Sequence, residues 1–189
     1  MGKILNEAII YATKKHHGKN RKGTKIPYIV HPLESLTIVA SVTDDEELLA
    51  AAVLHDTVED TDATVEDIKE LFGERIAKLV ASESENKREE LPDEETWEIR
   101  KQETLDELKK ADYDTLLICL SDKLSNIRAI ERDYKTIGED FWQRFNNKDP
   151  KKHGWYYGGI AKILGENEKI KATFAYQEYV ERVKAVFGE

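Results

Sequence analysis

Apolar residues recur three and four positions apart along almost the whole chain, and that spacing constrains the fold more than any other feature. Ile4, Leu5, Ala8, Ile9 and Ala12 form one stripe, and Leu33, Leu36, Val39 and Ala40 form another. Residues so spaced share one face of a helix, whereas a half-buried strand needs strict alternation, which is scarce here. The class is all-α. The pattern predicts helices near 3–17, 32–42, 45–60, 64–82, 94–111, 113–134, 154–165 and 170–187. Thr64 with Asp67 three residues on has the form of a capped helix start, and Gly165 and Gly188 follow periodic segments as stop signals. With 189 residues and no repeat or linker, the expectation is one domain over 1–189, of about eight to ten helices.

Two stretches interrupt the pattern. Gly18 to Pro32 holds two glycines and two prolines, and proline, with no N–H to donate, cannot continue a helix. It reads as a structured loop, and Lys14, Lys15, Lys19, Arg21, Lys22 and Lys25 cluster on and beside it without an acid. Glu83 to Glu95 is dominated by Glu, Ser and Lys, with Pro92 near its end, and reads as an exposed loop.

Charge then narrows the partners. Charged residues make up 35% of the chain, against roughly 25% in an average domain, and the net charge is -9. A broad nucleic-acid interface needs a surplus of Lys and Arg, so none is expected. The basic cluster is local: either an ordinary solvated surface or a seat for a small anionic ligand. No apolar run approaches the roughly 20 residues of a membrane span, so no membrane partner is expected. Met1 to Asn6 lacks the apolar core of an export signal, and Asn6 stands where a myristoylation signal has Ser or Thr. The single Cys119 lies in an apolar run and reads as a buried core residue. These features set the expectation of a cytoplasmic protein, with no signature of oligomeric state.

Chemistry concentrates where apolar runs end in ionisable groups. Ala50-Ala51-Ala52-Val53-Leu54 leads directly into His55 and Asp56, followed by Glu59 and Asp60. Burying unpaired charge at the end of a core helix costs several kcal/mol, and a divalent cation is one compensating partner. Glu59 lies one turn after His55 and Asp60 one turn after Asp56, which stacks the acids beside them. The run Leu116 to Ser121 likewise ends in Asp122, with Asn126 one turn on. Asp122 could instead pair with Lys123 or Arg128, or begin an exposed stretch. His31-Pro32 follows the basic loop, with proline in the first turn of the next helix, where it is favoured. Two His and two Asp make a mixed nitrogen and oxygen set that suits Mn, Fe, Ni or Zn and is too nitrogen-rich for Ca or Mg. Adjacent His16 and His17 point about 100° apart on a helix and cannot easily serve one ion. His16 reads as a support for the ligands or the loop, His17 as surface, and His153, beside Lys151 and Lys152, as a surface or phosphate-proximal residue.

Three blocks carry a family resemblance: Arg21-Lys22-Gly23-Thr24-Lys25-Ile26-Pro27-Tyr28-Ile29-Val30-His31-Pro32, His55-Asp56-Thr57-Val58-Glu59-Asp60-Thr61, and Ser121-Asp122-Lys123-Leu124-Ser125-Asn126. In order and spacing they resemble the HD-type hydrolase domain of RelA/SpoT-type alarmone enzymes, most of all the stand-alone small alarmone hydrolases. Trp97-Glu98-Ile99-Arg100-Lys101 and Trp155-Tyr156-Tyr157 resemble features of its bacterial single-domain members. The resemblance implies an all-helical HD fold holding one metal, usually manganese, through His31, His55, Asp56 and Asp122. It implies removal of the 3′-diphosphate of guanosine tetraphosphate or pentaphosphate, the stringent-response alarmones, as intact pyrophosphate, leaving GDP or GTP. Glu59 and Asp60 match the acidic pair that activates water and manages its protons. Arg21 matches a phosphate-binding residue, Lys22 a residue near the nucleotide, and Asn126 a ribose or phosphate contact. Arg100, Lys101, Lys151, Lys152 and Tyr156 are candidates for further phosphate contacts.

The chain ends at Glu189, before the synthetase and regulatory domains of the family's long members, so degradation alone is expected. Ser121 stands where the family often has Ala, and Lys19 where it often has Gln. Two other functions fit the same residues: an HD phosphatase acting on the 2′-phosphate of NADPH or on an adenosine alarmone, and a nucleotide sensor without turnover.

Overall fold

One long helix organises the chain. In the computed structural model, which describes residues 2–84, 88 and 90–188 and, of residues 93 and 94, the backbone only, Tyr113–Ile137 forms the longest helix. Asp112 caps its start by accepting from the Thr115 amide at 3.0 Å. Leu116 to Asp122 are all buried, so this segment is covered on every side.

In chain order the α-helices are α1 (Lys3–Lys15), α2 (Val30–Ala40), α3 (Glu46–Leu54), α4 (Thr57–Asp60), α5 (Val65–Phe72), α6 (Glu74–Ser82), α7 (Asp93–Leu108), α8 (Tyr113–Ile137), α9 (Pro150–Gly165), α10 (Glu168–Lys171) and α11 (Phe174–Phe187). A 3-10 helix, Gly138–Arg144, follows α8. Helices α2, α3, α6, α9, α10 and α11 pack around α8, while α1 closes over α3. Leu54, Leu117, Ile118, Leu120, Leu124 and Ile127 are fully buried at this centre. Each contributes about 1.5–3 kcal/mol by leaving water. The described residues contain no strand, only the isolated bridge between Asn20 and Pro27. None of their helices is long and apolar enough to cross a membrane.

Three helices that periodicity draws as continuous are broken, each for a local reason. The segment 45–60 stops at Leu54 and restarts at Thr57. Side chains take over the carbonyls near the break: the Thr57 hydroxyl donates to Leu54 O at 2.6 Å, and His55 Nδ1 lies 2.8 Å from Ala52 O. The segment 64–82 breaks at Gly73, whose φ of 94° suits glycine. Thr64 and Asp67 do form a reciprocal capping box on α5. The last segment is divided before α11, where Thr173 caps the new helix by accepting from the Tyr176 amide.

Of the loop expected over 83–95, residues 85–87 and 89 lie outside the described residues. Its start is not an exposed surface: Glu83 and Ser84 are half-buried and line a cleft. His153 also departs from the surface expectation. It is buried against Trp97, Trp142 and Phe145, and its Nε2–H donates to Asn147 O at 2.9 Å.

Candidate metal centre and adjoining cleft

The interruption between α3 and α4 places His55 and Asp56 at the end of a buried helix, facing the first turn of α2 and the middle of α8. His31 Nε2 lies 3.2 Å from His55 Nε2, 3.3 Å from Asp56 Oδ2 and 3.0 Å from Asp122 Oδ1. His55 Nε2 lies 3.1 Å from Asp56 Oδ2 and 3.7 Å from Asp122 Oδ1. Neighbouring donors around an ion bound at about 2.0–2.2 Å sit roughly 3–3.5 Å apart, a spacing that most of these pairs match. His31, His55 and Asp122 are buried, and their donor atoms all lie within 4.8 Å of one another, a group that can hold a metal.

Both imidazoles are oriented from behind. The Ala52 carbonyl only accepts, so His55 Nδ1 carries the hydrogen and Nε2 of the neutral ring keeps its lone pair for the centre. His31 Nδ1 is held by Ser125 Oγ at 2.7 Å. Tyr28 donates its phenol hydrogen to Asp56 Oδ2 at 2.7 Å. Burial, with the Asp56 and Asp60 carboxylates beside it, raises that phenol well above its ordinary value and keeps it a donor. Asp122 Oδ2 pairs with Lys123, while Oδ1 accepts from Asn126 Nδ2 at 2.5 Å and faces the histidines. The pairing with Lys123 and the convergence with His31 and His55 are thus both present, one on each oxygen.

These contacts set the charges. Burial alone would lower the His55 imidazole, but Asp56 and Asp122 outweigh it and hold the ring well above its ordinary value. Burial would raise the carboxyl of Asp122, yet Lys123 and the two histidines hold it well below the usual range. Asp56 is depressed in the same way by His55 and His31. A proton and a cation therefore compete for His55 Nε2. Ion binding near neutral pH is expected to release a proton, and affinity should rise with pH until His55 deprotonates unaided, then level off. Calorimetric titration with Mn2+ in buffers of different ionisation enthalpy measures that release; a pH-independent affinity with no release would contradict it.

A cleft of about 630 Å³ opens beside the centre. Its wall includes Glu59, Asp60, Lys123, Asn126, Arg100 and Lys101. An adjoining hollow of about 380 Å³ carries Arg21, Lys22 and Tyr156 and shares Tyr28, Asp60, Lys101, Lys123 and Asn126 with the first. Together they have the capacity of a nucleotide-sized site. Lys151 and Lys152 line neither hollow; both are exposed, and Lys152 pairs with Glu98 at 2.8 Å.

The basic loop is fastened rather than loose. Arg21 Nη2 donates to Asn126 Oδ1 at 2.7 Å, which connects it through Asn126 to Asp122. Gly23 adopts φ 72°, and the Arg144 side chain packs so closely that an added Cβ would sit 2.5 Å from its Cδ. Arg144 is itself held by Asp133 at 2.9 Å. His16 stacks on Tyr28, with ring centres 4.8 Å apart, and burial holds its imidazole below the ordinary value. His17 is exposed.

Sequence reasoning missed Tyr28 and Glu83 and considered Lys123 only as a plain ion-pair partner. The available signals were a tyrosine between the basic loop and His31, and a lysine directly after an aspartate that ends an apolar run. Burial pushes the Glu83 carboxyl up to about 7, with Lys123 pulling the other way.

The HD-domain family profile matches residues 8–150. Over 175 residues the chain is 34% identical to the guanosine-3′,5′-bis(diphosphate) 3′-pyrophosphohydrolase of Aquifex aeolicus, covering 90% of this chain and 24% of that protein. It thus spans about a quarter of that relative's length. It is 33% identical over 132 residues to the 3′-pyrophosphohydrolase MESH1 of Danio rerio, covering 68% of this chain and 70% of that one. A solved structure of a metazoan SpoT orthologue, described as hydrolysing ppGpp, superposes with a TM-score of 0.70 at 26% identity, covering 97% of this chain and 94% of that one. A solved protein from Listeria monocytogenes EGD-e gives 0.72 at 30% identity, covering 86% and 97%.

Proposed function

Because this chain belongs to the HD-domain family, we propose that it is a metal-dependent pyrophosphohydrolase that removes the 3′-diphosphate of guanosine tetraphosphate or pentaphosphate. The observation that carries the reading is the buried cluster of His31, His55 and Asp122, with Asp56 Oδ2 beside both histidines, at a cleft that adjoins the hollow carrying Arg21 and Lys22. The activity in the names of the Aquifex and Danio relatives supports it.

The four residues hold one ion, manganese in this reading, with nitrogen and oxygen donors that such borderline metals accept. When bound, the ion neutralises phosphate charge and makes nearby water more acidic. Glu59 and Asp60 face the cleft, where one accepts the proton of the attacking water. The water oxygen bonds to the phosphorus attached to O3′, the P–O3′ bond breaks, and pyrophosphate leaves whole. A proton returned from the acidic pair neutralises the departing 3′-oxygen, giving GDP or GTP.

Substrate charge is met by residues from three elements. Arg21 and Asn126 are already bonded to each other and form a preformed contact for phosphate or ribose. Lys22, whose Nζ lies 5.8 Å from the Phe145 ring centre, faces the nucleotide, and Arg100, Lys101 and Tyr156 take the remaining phosphates. These local cations offset the repulsion that a chain of net charge -9 exerts on an anion. Nucleic acid and membrane play no part in this reading, and the setting is the cytoplasm.

The deciding measurement is the product pattern from guanosine tetraphosphate with and without Mn2+. Stoichiometric GDP and pyrophosphate, dependent on the ion, is the expected result. Release of single phosphates, or faster turnover of NADPH or an adenosine alarmone, would overturn it.

A further inference from the structure

We propose that Ser125 and Glu34 form a hydrogen-bonded relay that fixes the tautomer of His31, making both of them positioning residues for the metal centre. The inference rests on the reading of His31 as a ligand. His31 Nδ1 lies 2.7 Å from Ser125 Oγ, and Ser125 Oγ donates to Glu34 Oε2 at 2.8 Å. A serine hydroxyl has one hydrogen, and a carboxylate can only accept. With that hydrogen committed to Glu34, the serine oxygen offers His31 only lone pairs, so Nδ1 must donate. Nε2 then keeps the free pair that points toward His55, Asp56 and Asp122.

Glu34 gives the relay its direction. A serine alone could equally donate to His31 Nδ1, which would leave the hydrogen on Nε2 and block the centre. Glu34 is prevented from turning away because Arg128 Nη1 holds its other oxygen at 3.0 Å. Arg128 is clamped in turn by both oxygens of Glu178 on α11, through Nε at 2.8 Å and Nη2 at 2.6 Å. Helical spacing builds the arrangement: Glu34 follows His31 by three residues on α2, and Ser125 follows Asp122 by three on α8. Each of these helices therefore supplies one ligand and one member of the relay. His55 reaches the same tautomer without a relay, because Ala52 O is a fixed acceptor.

The test combines Mn2+ titration of the full chain with ¹⁵N spectra of the imidazoles in the metal-free protein at alkaline pH. In wild type, His31 is expected as a single Nδ1–H tautomer. Ser125→Ala should weaken Mn2+ binding about 10–100-fold, the usual effect of removing a partner behind a ligand, and should mix the tautomers. Glu34→Ala keeps the hydroxyl but frees its hydrogen, so it should mix the tautomers with a smaller loss of affinity. This second variant carries the test if Ser125→Ala does not fold. A purely packing role would move the melting temperature and leave the imidazole couplings alone. Wild-type Mn2+ affinity and an unchanged His31 tautomer in both variants would overturn the relay. Failure of wild type itself to bind Mn2+ would overturn the ligand reading beneath it, which separates the two.

Discussion

Asp122→Asn should abolish Mn2+ binding and hydrolysis together. The amide matches the carboxylate in shape but offers one acceptor oxygen where Asn126 and Lys123 both donate, and the negative charge facing His31 and His55 is gone. An ion in such a site supplies several kcal/mol to the reaction, so kcat/KM is expected to fall by about a thousandfold or more. Asp122→Ala should do this and also unfold at lower temperature. It leaves the Lys123 ammonium, poorly exposed in the fold, with neither the carboxylate nor an amide oxygen in its place, a loss of about 3–5 kcal/mol. Calorimetric Mn2+ titration alongside steady-state rates checks the shared loss, and thermal melts separate the two variants. Wild-type affinity in Asp122→Asn would remove Asp122 from the ligand set.

Glu59→Gln should give the opposite division. Glu59 faces the cleft from the single turn α4, while the proposed ligands come from α2, the end of α3 and α8. Its amide can still accept a hydrogen bond from water but no longer takes a proton. A fall in kcat of about 10²–10⁴-fold is expected, with Mn2+ affinity close to wild type. Equal loss of metal in Glu59→Gln and Asp122→Asn would contradict separate roles for the two groups.

How far the sequence reaches can be judged from particular residues. Periodicity is sufficient to find α1, α2 and α8, because their apolar faces are set by local spacing and then buried. It runs through the interruption at His55 because Ala50 to Leu54 is a strong helical run; the break depends on the Thr57 hydroxyl and the His55 ring capturing carbonyls. It runs through Gly73 because one glycine does not disturb the pattern on either side. The surface reading of His153 comes from its lysine neighbours: on α9 those two face water while the next position turns inward, onto Trp97 of α7, Trp142 of the 3-10 helix and Phe145 just after it. His31 and Asp122 are 91 positions apart, so no local rule brings them together; the end of an apolar run marks Asp122 and the proline-led helix start marks His31, and only donor chemistry and the resemblance join them. Of the contacts behind the site, the bond between Glu34 and Ser125 arises from the packing of α2 on α8, Tyr28 reaches Asp56 from the loop before α2, and Lys123 is the chain neighbour of Asp122.

The bond from Arg21 to Asn126 and onward to Asp122 also constrains the thermodynamics of the site. A phosphate that draws Arg21 toward itself acts on Asn126, and through it on the charge presented to the ion. Under the proposed function, metal and nucleotide are then coupled ligands, and coupling is reciprocal: the factor by which one tightens the other must be returned unchanged. Once either half of that cycle has been measured, the other is fixed without a further experiment.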